Sequence, residues 1–289
     1  MSTSEFSLQV NGLTLAGRRS GEAHQAPLVL LHGSGASSAV FAPQFGSELS
    51  AVYQIFAFDL PGHGRSGNAT DPATTYAVHG MANVIGRAID QLGLVRPAIY
   101  GWSMGGHVAL ELAAGRSDLA GLALSGTPPI GPGTIAALRG FHAKWDMLLA
   151  SKENFSDRDA ERFMRLCFAA SGSERFLADI KRADGRARVH FMRSLMRGEA
   201  TDERRFVETS AVPVAMINGA DDPIVRRSYI EHLDYAALWR GKCHAIPGAA
   251  HAPFLEQPQA FNRLLHLFLR DLAISPMLGH QDVASRSRP

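Results

Sequence analysis

Residues 99–113 read IYGWSMGGHVALELA, and how this stretch is parsed decides the fold. Its first part, taken with Pro97 and Ala98, is a short apolar run of strand type; from Met104 onward the spacing is helical. Ser103 stands at the junction, inside Gly101-Trp102-Ser103-Met104-Gly105. A Gly-x-Ser-x-Gly pattern arises by chance in about one chain in ten of this length, so the pentapeptide alone decides little. Its place at a strand-to-helix turn says more. Glycines let the chain turn sharply where larger side chains would clash with neighbouring backbone, and the helix start points unpaired N–H groups at whatever Ser103 meets.

Outward from this stretch the same alternation repeats. PLVLLHG, VYQIFAFDL, PAIYGW, LAGLALSG, VPVAMING and KCHAIPG are apolar runs ended by glycine or polar turns. Helical segments follow most of them, which predicts an α/β fold with a mostly parallel central sheet. FSLQVNGLTLAGRR predicts a hairpin turning at Asn11-Gly12. In PQAFNRLLHLFLRDL, Phe261, Leu264, Leu265, Phe268, Leu269 and Leu272 share one helical face, with Pro258 suited to the first turn. Residues 130–210 break the alternation and predict an inserted helical cap, which leaves 1–129 and 211–274 as the core. The polar stretch 275–289 is expected to be disordered.

The 289 residues, 46% of them hydrophobic, can bury a sizeable core, and 29 basic against 27 acidic residues leave a net charge of only +2. That balance predicts neither a nucleic-acid nor a membrane partner. The locally basic stretch 181–197, KRADGRARVHFMRSLMR, is interrupted by Asp184 and apolar residues and reads as a solvated helical face. Two cysteines, Cys167 and Cys243, have no metal-ligand spacing, so reduced core thiols in a cytoplasmic compartment are expected. The N-terminal stretch has no basic and apolar leader pattern.

In an open parallel sheet ligands bind beyond the carboxyl ends of the strands. Ser103 is there, but a serine hydroxyl needs a neighbouring base, and the base needs an orienting partner. Of twelve histidines, only His251, in HAIPGAAHAPFLEQP, follows a late strand across a glycine loop. VPVAMINGADDPIV places Asp221 and Asp222 just past the preceding strand, which gives the order Ser, Asp, His. Gly62, Gly64 and Gly67 formally match a dinucleotide fingerprint, but NATDPATTY follows where a helix start is required. No metal-binding motif is present, so neither metal nor cofactor is expected. His107, one turn beyond Ser103, reads as structural or as support behind the site, since a helix interior does not bring it to the serine proton.

With these residues the chain is identified as a member of the α/β-hydrolase superfamily. LLHGSG at 30–35 is similar to its oxyanion loop, and FDLPGHGRSG at 58–67 resembles its Asp-x-Pro-Gly-x-Gly-x-Ser signature. The resemblance implies a catalytic triad of Ser103, Asp222 (rather than Asp221) and His251, with the amides of Ser34 and Met104 as oxyanion hole. A serine at the elbow argues against the epoxide hydrolases and haloalkane dehalogenases of this fold, which use aspartate.

A finer resemblance is to the α/β-hydrolase type of N-acyl-homoserine lactonase, the quorum-quenching enzymes. It is carried by FAPQ, DLPGHGRS, GWSMGGH, SGTPP, FSDRD, DGRAR, LWRGK and HAPF. It implies a metal-independent hydrolase that opens a small acylated lactone. Trp102, Trp145 and Phe163 are then the expected substrate contacts, with Phe141, Met147, Leu148, Met164, Phe168 and Met192 as further apolar candidates in the cap. Where those lactonases carry a tyrosine soon after FS-x-RD, this chain has Phe163. The alternatives are a general carboxylesterase, a carbon–carbon bond hydrolase, or a signal-binding receptor on a hydrolase scaffold.

Overall fold

The computed structural model describes residues 2–278 apart from 144 and 172–173, and the side chains at 145–147, 170 and 275–278 also lie outside the described set. Every apolar run read as a strand is one. β1 (Ser4–Val10), β2 (Leu13–Ser20), β3 (Ala26–Leu31), β4 (Tyr53–Phe58), β5 (Ala98–Trp102), β6 (Gly121–Ser125), β7 (Val214–Gly219) and β8 (His244–Ile246) form one eight-stranded sheet. Its order is β1-β2-β4-β3-β5-β6-β7-β8. The β1–β2 and β2–β4 pairs are antiparallel and the remainder parallel. The hairpin turns at Asn11 and Gly12 with φ of 53° and 78°, the pair of positive values that a two-residue primed turn requires.

β5, β6 and β7 are buried along their whole length, because helices cover both faces of a parallel sheet. α1 (Val78–Gln91) and α2 (Met104–Ala114) follow β4 and β5 in sequence. Gly101 of β5 faces α2: a Cβ there would stand 2.5 Å from the Gly105 carbonyl oxygen. Its neighbour Tyr100 points to the opposite face.

Between β6 and β7 every described element is helical: α3 (Thr134–Gly140), a 3-10 segment (Trp145–Ser151), α4 (Asp157–Phe168), a 3-10 turn (Ala169–Ser171), α5 (Glu174–Arg182), α6 (Gly185–Arg197) and α7 (Glu203–Thr209). Two seams fasten this insertion to the sheet. In the first, the Asp184 side chain accepts from Arg186 N–H to cap α6 and from the Tyr76 hydroxyl at 2.8 Å, while its amide donates to the Gly62 carbonyl at 2.8 Å. Ser37 Oγ donates to Asp179 at 2.7 Å, and Arg182 donates to the Ser66 carbonyl at 2.6 Å. In the second, His142 N–H donates to the Ile224 carbonyl and Arg226 N–H to the Gly140 carbonyl, both at 2.8 Å.

The basic stretch 181–197 therefore departs from its expected role. It is not a uniform solvated face: Arg182 is part of a seam, and Arg188 is only 3% exposed, its guanidinium donating to the Lys152 and Glu153 carbonyls at 3.1 and 2.9 Å. The backbone carbonyls of the two residues that follow the 3-10 segment draw this cation inward, and its alkyl stem and planar head fill space that a solvated lysine would leave open.

The last described element is α8 (Pro258–Leu278), which starts at the expected proline. Its Phe261, Leu265, Phe268 and Leu269 are buried, and the Phe261 ring lies 4.9 Å from that of Tyr100, which places α8 on the face opposite α2. The helix runs past Ser275, where disorder was expected to begin; residues 279–289 lie outside the described residues. Among the described residues no helix is long and apolar enough to cross a membrane.

Candidate active site

Ser103 ends β5 and precedes α2 with φ 53° and ψ −120°, a region that costs an L-residue about 1–3 kcal/mol. Three contacts hold it there. Its N–H donates to the Ser125 carbonyl at 2.9 Å, its carbonyl accepts from Thr127 Oγ1 at 2.9 Å, and a Cβ on Gly105 would overlap the Leu31 carbonyl, so only glycine lets the elbow close on β3. The serine itself is half-buried.

The loops after β7 and β8 bring Asp222 and His251 together. His251 Nδ1–H donates to Asp222 Oδ2 at 2.9 Å, and Asp222 Oδ1 accepts from the amides of Ile224 and Val225 at 2.8 and 3.1 Å. Burial alone would raise the Asp222 pKa, but the facing His251 charge, the hydrogen bond to its ring and the two amides outweigh it and hold the carboxyl below its ordinary range. Asp221 is exposed and does not take this place; its amide donates to the Ala249 carbonyl at 2.9 Å. Trp102 ties the histidine to the elbow, its Nε1–H donating to the His251 carbonyl at 2.7 Å.

His251 Nε2 is buried without a hydrogen-bond partner, so the Ser103 hydroxyl is not bonded to it in this state. Such pairs tighten when substrate arrives. With Nδ1–H committed to the carboxylate, Nε2 of the neutral ring is the free acceptor. The carboxylate thus fixes which imidazole nitrogen is free to accept a proton.

The loop bearing Ser34 leans on the serine, since a Cβ at Gly33 would lie 3.2 Å from Ser103 Cβ. His32 braces that loop: its Nδ1–H donates to the Gly33 carbonyl at 2.8 Å and its Nε2 accepts from Leu60 N–H at 2.9 Å. Burial lowers the His32 pKa and keeps the ring neutral for both bonds, against the opposing pull of Asp59. Met104 is the first residue of α2, so its amide has no acceptor within the helix. The glycine pattern after β4 encloses protein, not phosphate: Asp59 accepts from the amides of Ser38 and Arg65 at 2.6 and 2.9 Å, and a Cβ on Gly64 would collide with its carboxylate.

A cavity of about 80 Å³ opens on Ser103, Ser34, Met104 and Trp102. Its remaining walls come largely from the insertion: Phe141, Ala150, Phe163, Leu166, Cys167, Arg188, Phe191, Met192 and Leu195, with His107 and Ile224. Of the expected cap contacts, Phe141, Phe163 and Met192 line it. Phe168 instead stacks on Phe176 with ring centroids 4.7 Å apart, Leu148 is 66% exposed, and Met164 packs outside the lining. The Trp145 and Met147 side chains lie outside the described residues. Burial pushes the Cys167 thiol pKa up and lowers that of Arg188 to about 10. His107, expected to be structural or to support the site from behind the serine, is a wall residue. Its partner Glu203 gave no sequence signal, because a glutamate in TDERRF looks like any exposed helix start.

Comparison with known proteins places this geometry. The model of the family described as "Alpha/beta hydrolase family" matches residues 28–264. Among curated relatives, the pimeloyl-acyl-carrier protein methyl ester esterase of Edwardsiella ictaluri is 32% identical over 245 residues, 81% of this chain and 89% of that protein. The enzyme of the same name from Xanthomonas axonopodis pv. citri is 31% identical over 257 residues, 85% of this chain and 96% of its own. Among solved structures, a single-residue mutant of the N-acyl homoserine lactonase AidH in complex with N-hexanoyl homoserine lactone superimposes with a TM-score of 0.90 at 35% identity, over 93% of this chain and 98% of that one. AidH in complex with N-butanoyl homoserine gives a TM-score of 0.89 at 36% identity, over 93% and 97%.

Proposed function

The chain belongs to the alpha/beta hydrolase family, and from that premise we propose that it is a serine hydrolase opening the ring of N-acyl homoserine lactones. The observation that carries the reading is the likeness to AidH, which at 35% identity extends over 93% of the chain and so takes in the cap as well as the sheet. The hydrogen-bonded Asp222–His251 pair beside a strained elbow serine supports the chemistry.

Ser103 Oγ attacks the lactone carbonyl while His251 Nε2 takes its proton, and Asp222 stabilises the imidazolium and fixes its tautomer. The amides of Ser34 and Met104 receive the developing oxyanion, each donor being worth about 3 kcal/mol of barrier. As the tetrahedral adduct collapses, His251 returns the proton to the ring oxygen. The released hydroxyl stays tethered to the acyl group on Ser103. Water, deprotonated by His251, then clears the ester to give the open N-acyl homoserine. None of these steps calls for a metal. Trp102 and Phe163 border the reacting end of the cavity, and Phe141, Phe191, Met192 and Leu195 supply apolar wall for the acyl chain.

Hydrolysis of an open-chain ester such as a methyl ester of a carrier-bound acyl group is the second reading, supported by the names of the curated relatives. Rates of ring opening for N-butanoyl and N-hexanoyl homoserine lactones, measured beside p-nitrophenyl butyrate and a pimeloyl methyl ester, separate the two. Lactone kcat/KM above that of both esters is expected; lactone turnover no better than theirs would overturn the lactonase reading in favour of the second. Ser103→Ala is expected to abolish turnover of all four.

A further inference from the structure

The wall of the Ser103 cavity carries a second buried polar pair. His107, on α2, is 3% exposed, and its ring centroid lies 6.3 Å from those of both Phe141 and Phe191. Its Nδ1 is 2.8 and 3.0 Å from the two carboxylate oxygens of Glu203, which is 1% exposed. Glu203 Oε2 also accepts from Ile130 N–H at 3.1 Å, so both carboxylate oxygens are engaged. No hydrogen bond reaches Nε2 of His107 from any described residue, and the side chain lines the cavity.

A buried histidine–carboxylate pair is an expensive way to fill space. Apolar residues of the same volume usually serve stability as well or better. The pair makes one acceptor available: with the ring proton on Nδ1 facing the carboxylate, the Nε2 lone pair of the neutral ring is left for the cavity. The rings packed against it, Phe141 and Phe191, have nothing polar to give it, and the polar residues of the same cavity wall, Ser34, Ser103, Cys167 and Arg188, make no hydrogen bond to the ring.

We propose that His107, held by Glu203, is a specificity-determining residue whose Nε2 accepts the amide N–H of an N-acylated substrate. The site thereby selects α-acylamino lactones and esters over amide-free ones. The inference deepens the lactone reading above and rests on it for where the amide lies. In an α-acylamino lactone the N–H is two bonds from the carbonyl that Ser103 attacks. His107 is four residues further along the chain, about 6 Å along the helix axis, a span that two covalent bonds and one hydrogen bond of about 3 Å cover. A substrate lacking the N–H leaves the Nε2 lone pair desolvated and unpaired, and sites with buried polar groups reject such analogues.

The test is a competition between paired substrates. N-hexanoyl homoserine lactone is paired with the analogue bearing CH2 in place of the amide N–H, and N-hexanoylglycine methyl ester with its own CH2 analogue. The wild-type kcat/KM ratio is expected to favour the amide by about tenfold in both pairs. His107→Phe is expected to bring the ratio close to one. In Glu203→Gln, Ile130 N–H retains the amide oxygen and the NH2 faces Nδ1, which moves the ring proton to Nε2. That variant is also expected to lose the ratio, with the tautomer change visible in the 15N shifts of His107. Competing substrates share one pool of active enzyme, so the ratio does not depend on how much of a variant is folded; if His107→Phe yields no folded protein, Glu203→Gln decides. A wild-type ratio near one, or a ratio that survives either substitution, would overturn the proposal. Turnover of the ester pair without the lactone pair would instead overturn the lactonase reading, and the ester ratio would still decide the role of His107.

Discussion

Asp222→Asn is the sharpest perturbation of the site, because it alters one proton and little else. In the native arrangement Asp222 Oδ1 accepts from two amides, and Oδ2 accepts from His251 Nδ1–H at 2.9 Å. The Asn oxygen keeps both amide bonds, so the loop after β7 retains its shape. Its NH2 then faces Nδ1, which must become the acceptor; the ring proton moves to Nε2 and the free lone pair is lost. His251 can no longer take the Ser103 proton in its ground-state tautomer. In a triad that exchange costs about 10⁴ in kcat, or about 5.5 kcal/mol of barrier. Stopped-flow acylation with p-nitrophenyl butyrate, beside steady-state lactone opening, reads the loss, and urea denaturation establishes that the variant is folded. Asp221→Asn is the control: this residue is exposed, its amide bond is unaffected by the exchange, and its kcat should stay within about twofold by the usual behaviour of surface positions. An Asp222→Asn enzyme within tenfold of wild type would refute the assignment of Asp222 as the orienting acid.

Two further expectations concern stability. Ser103→Gly and Ser103→Ala both remove the hydroxyl, but only glycine adopts φ 53°, ψ −120° without penalty. The glycine variant should therefore be the more stable of the two by about 1 kcal/mol, after its larger unfolded-state entropy is set against the relieved strain. Equal urea midpoints would show that the elbow stores no strain. Asp59 concerns pH. Burial would raise its pKa, but the Arg65 and Ser38 amides and the nearby His32 hold it below the ordinary value. Its folded pKa is depressed, so its contribution is complete above the unfolded pKa of about 3.9 and is lost as pH falls through the lower folded value. Wild type should lose stability below about pH 4 more steeply than Asp59→Asn; parallel urea-stability curves from pH 5 to pH 3 would contradict that.

Much of this was legible in the sequence because local and global demands coincide. Asn11-Gly12 predicts its hairpin since few other residues tolerate two successive positive φ values. β5, β6 and β7 are legible because strands buried on both faces must be continuously apolar. The rule that parallel-sheet sites gather at strand ends needs only strand assignments, and it brings forward Ser103, His251 and the pair Asp221 and Asp222; the choice of Asp222 within that pair comes from the family resemblance. What escaped depends on contacts made across the chain. Glu203 and His107 are 96 positions apart, and neither looks unusual beside its neighbours. Arg188 sits in a basic run whose other members are mostly solvated, and only the carbonyls of Lys152 and Glu153 distinguish it.

Three of the stretches that resemble lactonases, two in the cap and one beside α8, take a different meaning from their positions. In FSDRD, Ser156 and Asp159 form a capping box that starts α4, and Lys152 binds the same aspartate at 2.6 Å. In DGRAR, Asp184 caps α6 and receives the Tyr76 hydroxyl, while Arg188 holds the carbonyls of Lys152 and Glu153. In LWRGK, Trp239 and Arg240 both donate to Asp271 of α8, each at 2.9 Å at its shortest. These residues fix where helices begin and how they are tied down; apart from Arg188 none of them lines the cavity. What they transmit is the shape of the cap and the seating of α8. On the proposed reading, selection within that shape falls to side chains that face inward: Phe163, whose ring lies beside Gly35 of the Ser34 loop and offers no hydroxyl there, and His107, which offers a lone pair between the Phe141 and Phe191 rings. Two hydrolases can thus share every capping and tethering residue and still differ in substrate, because placing a helix and choosing the atom it presents are set by opposite faces of the same element.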